Sequence, residues 1–212
     1  MGRHDLVVGD AISLIEKPIL VGERVLLRPV EAADAPGLAT LDPETLKLTG
    51  SHRTHSLEIL ERWYATRAGH DDRLDLAIVD QGSGEWVGEV VLLDLDEHNR
   101  SCWFRILLAG PRFFGRGFGT EATRLILAYA FETVGLHRIE LEVYDFNPRA
   151  RRVYEKVGFV HEGTKRQALH WDGEWIDAHL MALLAPDWAT HQGHPTPPPA
   201  PTMSSTPGGQ GS

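Results

Sequence analysis

Apolar positions recur along the chain in two periods, and their order predicts a mixed architecture. Val25-Leu26-Leu27-Arg28-Pro29 is an apolar run stopped by proline and reads as a first strand. Asp34 is a cap type for a short helix through about Leu41, which Asp42-Pro43 breaks. From Ser56, Leu57, Leu60, Tyr64 and Ala68 fall near helical spacing, and Gly69 is a stop. Strand-like runs follow from Leu74 to Val79 and from Glu85 to Leu93, separated by a glycine-rich turn from Asp80 to Gly84. A second turn, Asp96 to Asn99, leads into a strand from Ser101 to Leu108. The three strands form an antiparallel meander.

The period then becomes helical. Ala122, Leu125, Ile126, Tyr129 and Ala130 share one face, Thr120 is a favourable N-cap, and Gly135 ends the run. Arg138 to Val143 alternates charged and apolar residues, the pattern of a half-buried strand. Strand, loop, helix and strand make a crossover unit, so the strands on either side should be parallel neighbours. A second helix opens at Asn147 with Pro148 in its first position and stops at Gly158. Its apolar face is Ala150, Val153, Tyr154 and Val157. Phe159 to Leu169 and Trp175 to Leu184 are final strands around the hairpin signal Asp172-Gly173. The expected fold is α/β of the α+β type: a mixed, mostly antiparallel sheet of about seven strands with flanking helices. Residues 1–22 lack clear periodicity and are read as a loosely packed leader, 23–186 as one domain, and 187–212 as a disordered Pro/Ser/Gly-rich tail.

Composition narrows the function classes. The formal net charge of -9 argues against a general nucleic-acid binder and is compatible with a cationic partner. A lone cysteine, Cys102, excludes an internal disulfide and any multi-cysteine zinc or iron–sulfur site. His52 and His55 have no third ligand nearby, so no metal site is expected. No apolar run approaches the roughly 20 residues that span a bilayer. Asp5, Asp10 and Glu16 interrupt any signal-peptide core, and Leu6 stands where a myristoylation motif wants Ser or Thr. The expected location is the cytoplasm, without membrane or nucleic-acid partners.

The candidate chemistry centres on Arg112-Phe-Phe-Gly-Arg-Gly-Phe-Gly-Thr120, between a strand and a helix. Gly115, Gly117 and Gly119 let backbone approach a ligand closely, and the helix start offers free N–H groups and a positive dipole end. A phosphate is the natural occupant. A Walker loop requires Lys and then Ser or Thr after its last glycine, whereas this chain has Thr120-Glu121. A dinucleotide fingerprint requires G-x-G-x-x-G within a doubly wound sheet, and neither the spacing nor the strand order agrees.

Arg112-x-x-Gly115-x-Gly117 resembles the acyl-CoA signature of the GCN5-related N-acetyltransferase (GNAT) superfamily. The segment from Asn147 through Ala150, Tyr154, Lys156 and Gly158 to Phe159 is similar to its second signature. Phe118-Gly-Thr-Glu-Ala122 resembles the ribosomal-protein-acetylating, Rim-type branch. The resemblance implies acetyl-CoA as cosubstrate, held by a splayed parallel strand pair. Backbone near Leu107 and Leu108 would pair with the pantetheine arm. Arg112 through Thr120, including Gly115, Arg116, Gly117, Phe118 and Gly119, would cradle the pyrophosphate. Asn147 matches a cofactor-holding position, and Arg152, with Arg149 and Arg151, is a candidate for neutralising phosphate.

Acyl transfer to an amine requires a base for the amine, stabilisation of the oxyanion and a proton for the departing thiolate. Tyr154 matches the family tyrosine that supplies the last proton; read as structure alone, it is a core residue on an apolar helix face. Many relatives carry a glutamate about where Trp103 stands, so Glu89 on the neighbouring strand is the candidate base, with desolvation of the amine as an alternative route. A backbone N–H near Leu107 or Leu108 is the candidate oxyanion donor. The expected function is an acetyl-CoA-dependent N-acetyltransferase acting on a primary amine, either a protein N-terminus or a small molecule. The competing class is a CoA-binding sensor or scaffold without catalysis. Residues 40–60 and the Gly163-to-Trp175 hairpin are the expected acceptor walls, and Trp171 and Trp175 are candidates for that pocket or for a homodimer contact.

Overall fold

The computed structural model describes residues 12–192. The first eleven residues of the expected leader and residues 193–212 of the expected tail lie outside the described residues. One eight-stranded sheet organises the rest, in the order β1-β2-β3-β4-β5-β6-β8-β7. Its strands are β1 (Leu20–Val21), β2 (Val25–Pro29), β3 (Leu74–Asp80), β4 (Trp86–Asp96), β5 (Ser101–Leu108), β6 (Arg138–Tyr144), β7 (Val160–Trp171) and β8 (Glu174–Leu184). The eighth strand, beyond the seven read from periodicity, is the two-residue β1. It is too short to carry a period of two.

Strand alternation sorts the apolar residues into two cores. Leu76 and Ile78 of β3 face one side with Val90, Leu92, Phe104, Ile139 and Leu141, covered by helices α4 (Phe118–Ala128) and α5 (Pro148–Val157). Ala77 and Val79 face the other, with Leu60 and Tyr64 of α3 (Leu57–Thr66) and Ala35 of α1 (Ala35–Ala39). β5 and β6 are the parallel neighbours, and they pair only at Ser101↔Arg138, Cys102↔Ile139 and Trp103↔Glu140. Beyond that point β5 stays with β4 as far as Leu108, and β6 stays with β8 as far as Tyr144. Each strand keeps its antiparallel partner, so a wedge opens between them.

Three local features differ from the periodicity reading. Asp42-Pro43 starts a helix as well as ending one: α2 (Pro43–Leu48) has Asp42 as its N-cap and Pro43 in its first turn. The Asp42 carboxylate accepts from the Glu44 N–H at 2.9 Å and the Thr45 N–H at 3.1 Å. Asp42→Ala should therefore cost about 1 kcal/mol of unfolding free energy, read by denaturant titration. Asp34 lies in a 3-10 turn, and its carboxylate pairs with Arg28 at 2.7 Å. Helix α4 starts at Phe118 with Gly117 as N-cap, so Thr120 sits inside its first turn.

The described part of the leader is packed. Leu14 is fully buried, and the Lys17 ammonium donates to the carbonyls of Leu14, His70 and Arg73. At the other end, α6 (Ala185–His191) buries Trp188, whose indole N–H donates to Glu132 at 2.9 Å. Among the described residues no helix is long and apolar enough to cross a membrane.

Candidate active site

The wedge between β5 and β6 is a cleft of about 710 Å³ that reaches both faces of the sheet. Trp63, Arg73, Glu89, Trp103, Arg105 and Glu142 border it on the α3 side; Gly115, Gly117, Gly119, Asn147 and Tyr154 border it on the α4–α5 side. Strand parity identifies which backbone groups face it. The Ala109 N–H donates to Val87 at 2.9 Å, and the Arg100 carbonyl accepts from the His137 N–H at 2.7 Å. Odd residues of β5 thus turn their backbone groups to β4 and even residues to β6. Past the last parallel pair, Ile106 presents its N–H and carbonyl to the wedge and Leu108 its N–H, while the Leu108 carbonyl accepts from the Gly110 N–H at 2.8 Å. Leu107 lines the cleft with its side chain, but its backbone pairs opposite Glu89. Leu108 is brought to the position a strand-like ligand would use, and Ile106 is a candidate of the same kind that the sequence reading missed.

At the head of α4 the loop residues Gly115 and Gly117 are left-handed, with φ of +71° and +88°. No side chain caps this helix. The first-turn N–H groups of Phe118, Gly119 and Thr120 are therefore free to bind an anion, with the helix dipole behind them. A side chain at Gly117 would also collide with the Arg24 guanidinium, which donates to the Arg116 carbonyl at 3.2 Å. Asn147 caps α5 through the Ala150 N–H at 3.1 Å, and its amide N–H reaches the Leu48 carbonyl at 3.5 Å.

The arginines divide. Arg112 pairs with Glu85 at 2.5 Å and Arg116 lies 3.9 Å from Asp80, both on the β3–β4 hairpin; neither borders the cleft. Arg152 is exposed and also lies outside it. Arg149 does border the cleft, with its guanidinium 3.8 Å from the centre of the Phe114 ring.

Two titratable side chains meet the cleft from opposite faces. Tyr154 is 7% exposed and held edge-on by Phe104 and Phe159, with ring centres 6.0 and 5.9 Å away. Its hydroxyl bonds to no described residue, and burial pushes the phenol above its ordinary value, so it keeps its proton at neutral pH. Glu89 is 9% exposed and accepts a 2.5 Å hydrogen bond from the Tyr64 hydroxyl. Burial raises the Glu89 carboxyl's proton affinity; the Tyr64 hydrogen bond opposes that rise, Asp75 adds to it, and Arg105 and Arg73 oppose it. Trp103 sits half-buried in the same wall.

A free helix N-terminus, a glycine cradle and an unpaired strand edge along one cleft fit an acyl donor with a phosphate-bearing, strand-like arm. The model of the acetyltransferase (GNAT) domain matches residues 24–160, and the chain belongs to that family. The spermidine N(1)-acetyltransferase of Vibrio cholerae is 32% identical over 129 residues, covering 61% of this chain and 73% of that protein. A Bacillus subtilis protein named probable N-acetyltransferase YjcK is 29% identical over 178 residues, 80% of this chain and 98% of its own. The crystal structure of Vibrio cholerae spermidine N-acetyltransferase with CoA and spermine superposes with a TM-score of 0.72 at 25% identity, covering 79% of this chain and 99% of that one. The protein is an N-acetyltransferase, and acetyl-CoA is its acyl donor.

Proposed function

We propose that the chain acetylates a primary amine that enters from the α3 side of the sheet, with Glu89 as base and Tyr154 as acid. Acetyl-CoA supplies the thioester. Its phosphates lie on the Phe118–Thr120 amides, with Asn147 and Arg149 alongside, and its arm runs along Ile106 and Leu108. Glu89 takes the proton of the arriving ammonium, and the Leu108 N–H donates to the developing oxyanion. Tyr154 protonates the sulfur as it leaves. The observation that carries the reading is the buried carboxylate and buried phenol bordering one cleft from opposite faces.

The acceptor is a small cationic amine. Glu142 and Trp103 line the acceptor side, where the chain's own Lys165 ammonium pairs with Glu142 and lies 5.8 Å from the Trp103 ring centre. That corner accommodates an alkylammonium. The similarity to spermidine acetyltransferases supports the same class. Glu142→Gln should raise the acceptor KM about fivefold and leave that for acetyl-CoA unchanged, as steady-state kinetics reads. A protein N-terminus, the acceptor of the Rim-type branch, is the second reading, supported by the Phe118-to-Ala122 segment.

Thiol release from acetyl-CoA, measured over diamines, polyamines and N-terminal peptides, tests the proposal. Release with small amines is expected. Release only with peptides would move the acceptor to the second reading, and CoA binding without release would overturn catalysis.

A further inference from the structure

We propose that Tyr64 is a positioning residue for the transfer: its hydroxyl holds the Glu89 carboxylate in one orientation toward the cleft and keeps it in its proton-accepting form. The inference rests on the reading of Glu89 as the base. Tyr64 lies one turn after Leu60 on the inner face of α3, and both residues are buried. A buried phenol usually finds an acceptor. This one has Glu89 Oε2, at 2.5 Å and 25 residues away in sequence. Tyr64 does not border the cleft; Glu89 does. The hydrogen bond occupies one carboxylate oxygen, and the other, Oε1, accepts from no described residue. The side chain is thus pinned by one oxygen and left with the other for a proton.

The direction of the effect follows from the groups around the carboxylate. Burial and Asp75, on β3, favour its neutral form; Tyr64 on α3, Arg105 on β5 and Arg73 before β3 favour the charged one. Arg73 is itself tied to Asp75 by bonds of 2.7 and 2.6 Å, so it largely cancels that neighbour. Arg67 lies further along on the α3 side, and Asp34 acts on Tyr64 from the turn before α1. Burial, first, and then Glu89 push the Tyr64 phenol far up, so it remains a donor across the working pH range. A donor to the charged carboxylate stabilises that form, and its removal lets burial protonate Glu89 at higher pH.

The test is the pH profile of kcat/KM for Tyr64→Phe, which keeps the ring and deletes one oxygen. The acid limb should move up by about one pH unit, giving about tenfold slower turnover below the limb. The high-pH plateau should stay within about threefold, and acetyl-CoA binding should be unchanged. A purely structural Tyr64 would lower the melting temperature and the plateau while the limb stayed in place; that result overturns the proposal. Site-specific 3-fluorotyrosine at position 64 preserves the fold should the phenylalanine variant not. It is a stronger donor and should move the limb down; an unmoved limb again overturns the proposal. Glu89→Gln separates the two readings. Full activity with the limb intact would remove Glu89 as base, and Tyr64 with it. An inactive Glu89→Gln beside an unmoved Tyr64→Phe limb would remove Tyr64 alone.

Discussion

Tyr154→Phe is expected to lower kcat by about two orders of magnitude or more, with acetyl-CoA affinity and thermal stability nearly unchanged. The size is that of a lost general acid, about 10²–10⁴-fold. The separation of effects comes from the packing. The Tyr154 ring is held by Phe104 and Phe159, and phenylalanine presents the same ring to both. Its hydroxyl makes no hydrogen bond to a described residue, so deleting it leaves no partner unsatisfied. A core role alone predicts little loss of any kind from this substitution. A catalytic role predicts a large loss in kcat alone, and burial, which holds the proton on the phenol, makes the residue competent for it. Turnover assays beside calorimetric titration with CoA and a thermal melt distinguish the cases. Unchanged turnover would take Tyr154 out of the mechanism.

Most of the fold is written in local period. The bounds of β5 follow from its apolar run after the Asp96-to-Asn99 turn, and those of α5 from Asn147-Pro148 at the helix start and Gly158 at its end, because each signal acts within a few residues. Where two local rules compete, sequence is ambiguous: Asp-Pro both ends a helix and begins one, and α2 is the consequence. The glycine loop and the free helix start of the candidate donor site were legible because they lie in one segment. Period two also puts Ile106 and Leu108 on one strand edge and Leu107 on the other, but which edge faces the wedge is set by the pairing with β4. The arginine assignments depended on tertiary neighbours. Arg112 and Arg116 lie within a few ångströms of Glu85 and Asp80 because the β3–β4 hairpin lies beside the glycine loop, and nothing local announces that. The Tyr64–Glu89 bond is of the same kind, needing both the packing of α3 and the register of β4.

Gly88→Ala is expected to damage stability and donor binding together. Gly88 is on β4 opposite Leu108, next to Glu89 and beside the register shift at Ile78/Val79. At φ +156° its backbone lies outside the range that L side chains readily adopt, and the space beside it is filled as well. A Cβ there would overlap the Leu107 carbonyl oxygen, with the Leu107 carbonyl carbon at 3.1 Å and the Leu108 Cα at 3.0 Å. All three atoms belong to the β5 backbone, so no side-chain rotation relieves the contact and the strands must separate. Overpacking of this kind costs about 1–3 kcal/mol. For a domain of this size that lowers the melting temperature by roughly 3–10 °C. The displacement pushes β5 toward the wedge and moves the Ile106 and Leu108 backbone groups proposed to bind the donor, while tilting Glu89. Misplacement by about 1 Å can cost 10²-fold in rate, so kcat/KM for acetyl-CoA should fall tenfold or more. Gly69→Ala is the control. A Cβ there meets nothing within 4 Å, and the residue is exposed and does not border the cleft. A thermal melt and donor kinetics on both variants read the difference. If Gly88→Ala melts with the wild type and keeps its acetyl-CoA KM, β5 is not the rigid edge on which the donor arm is proposed to lie.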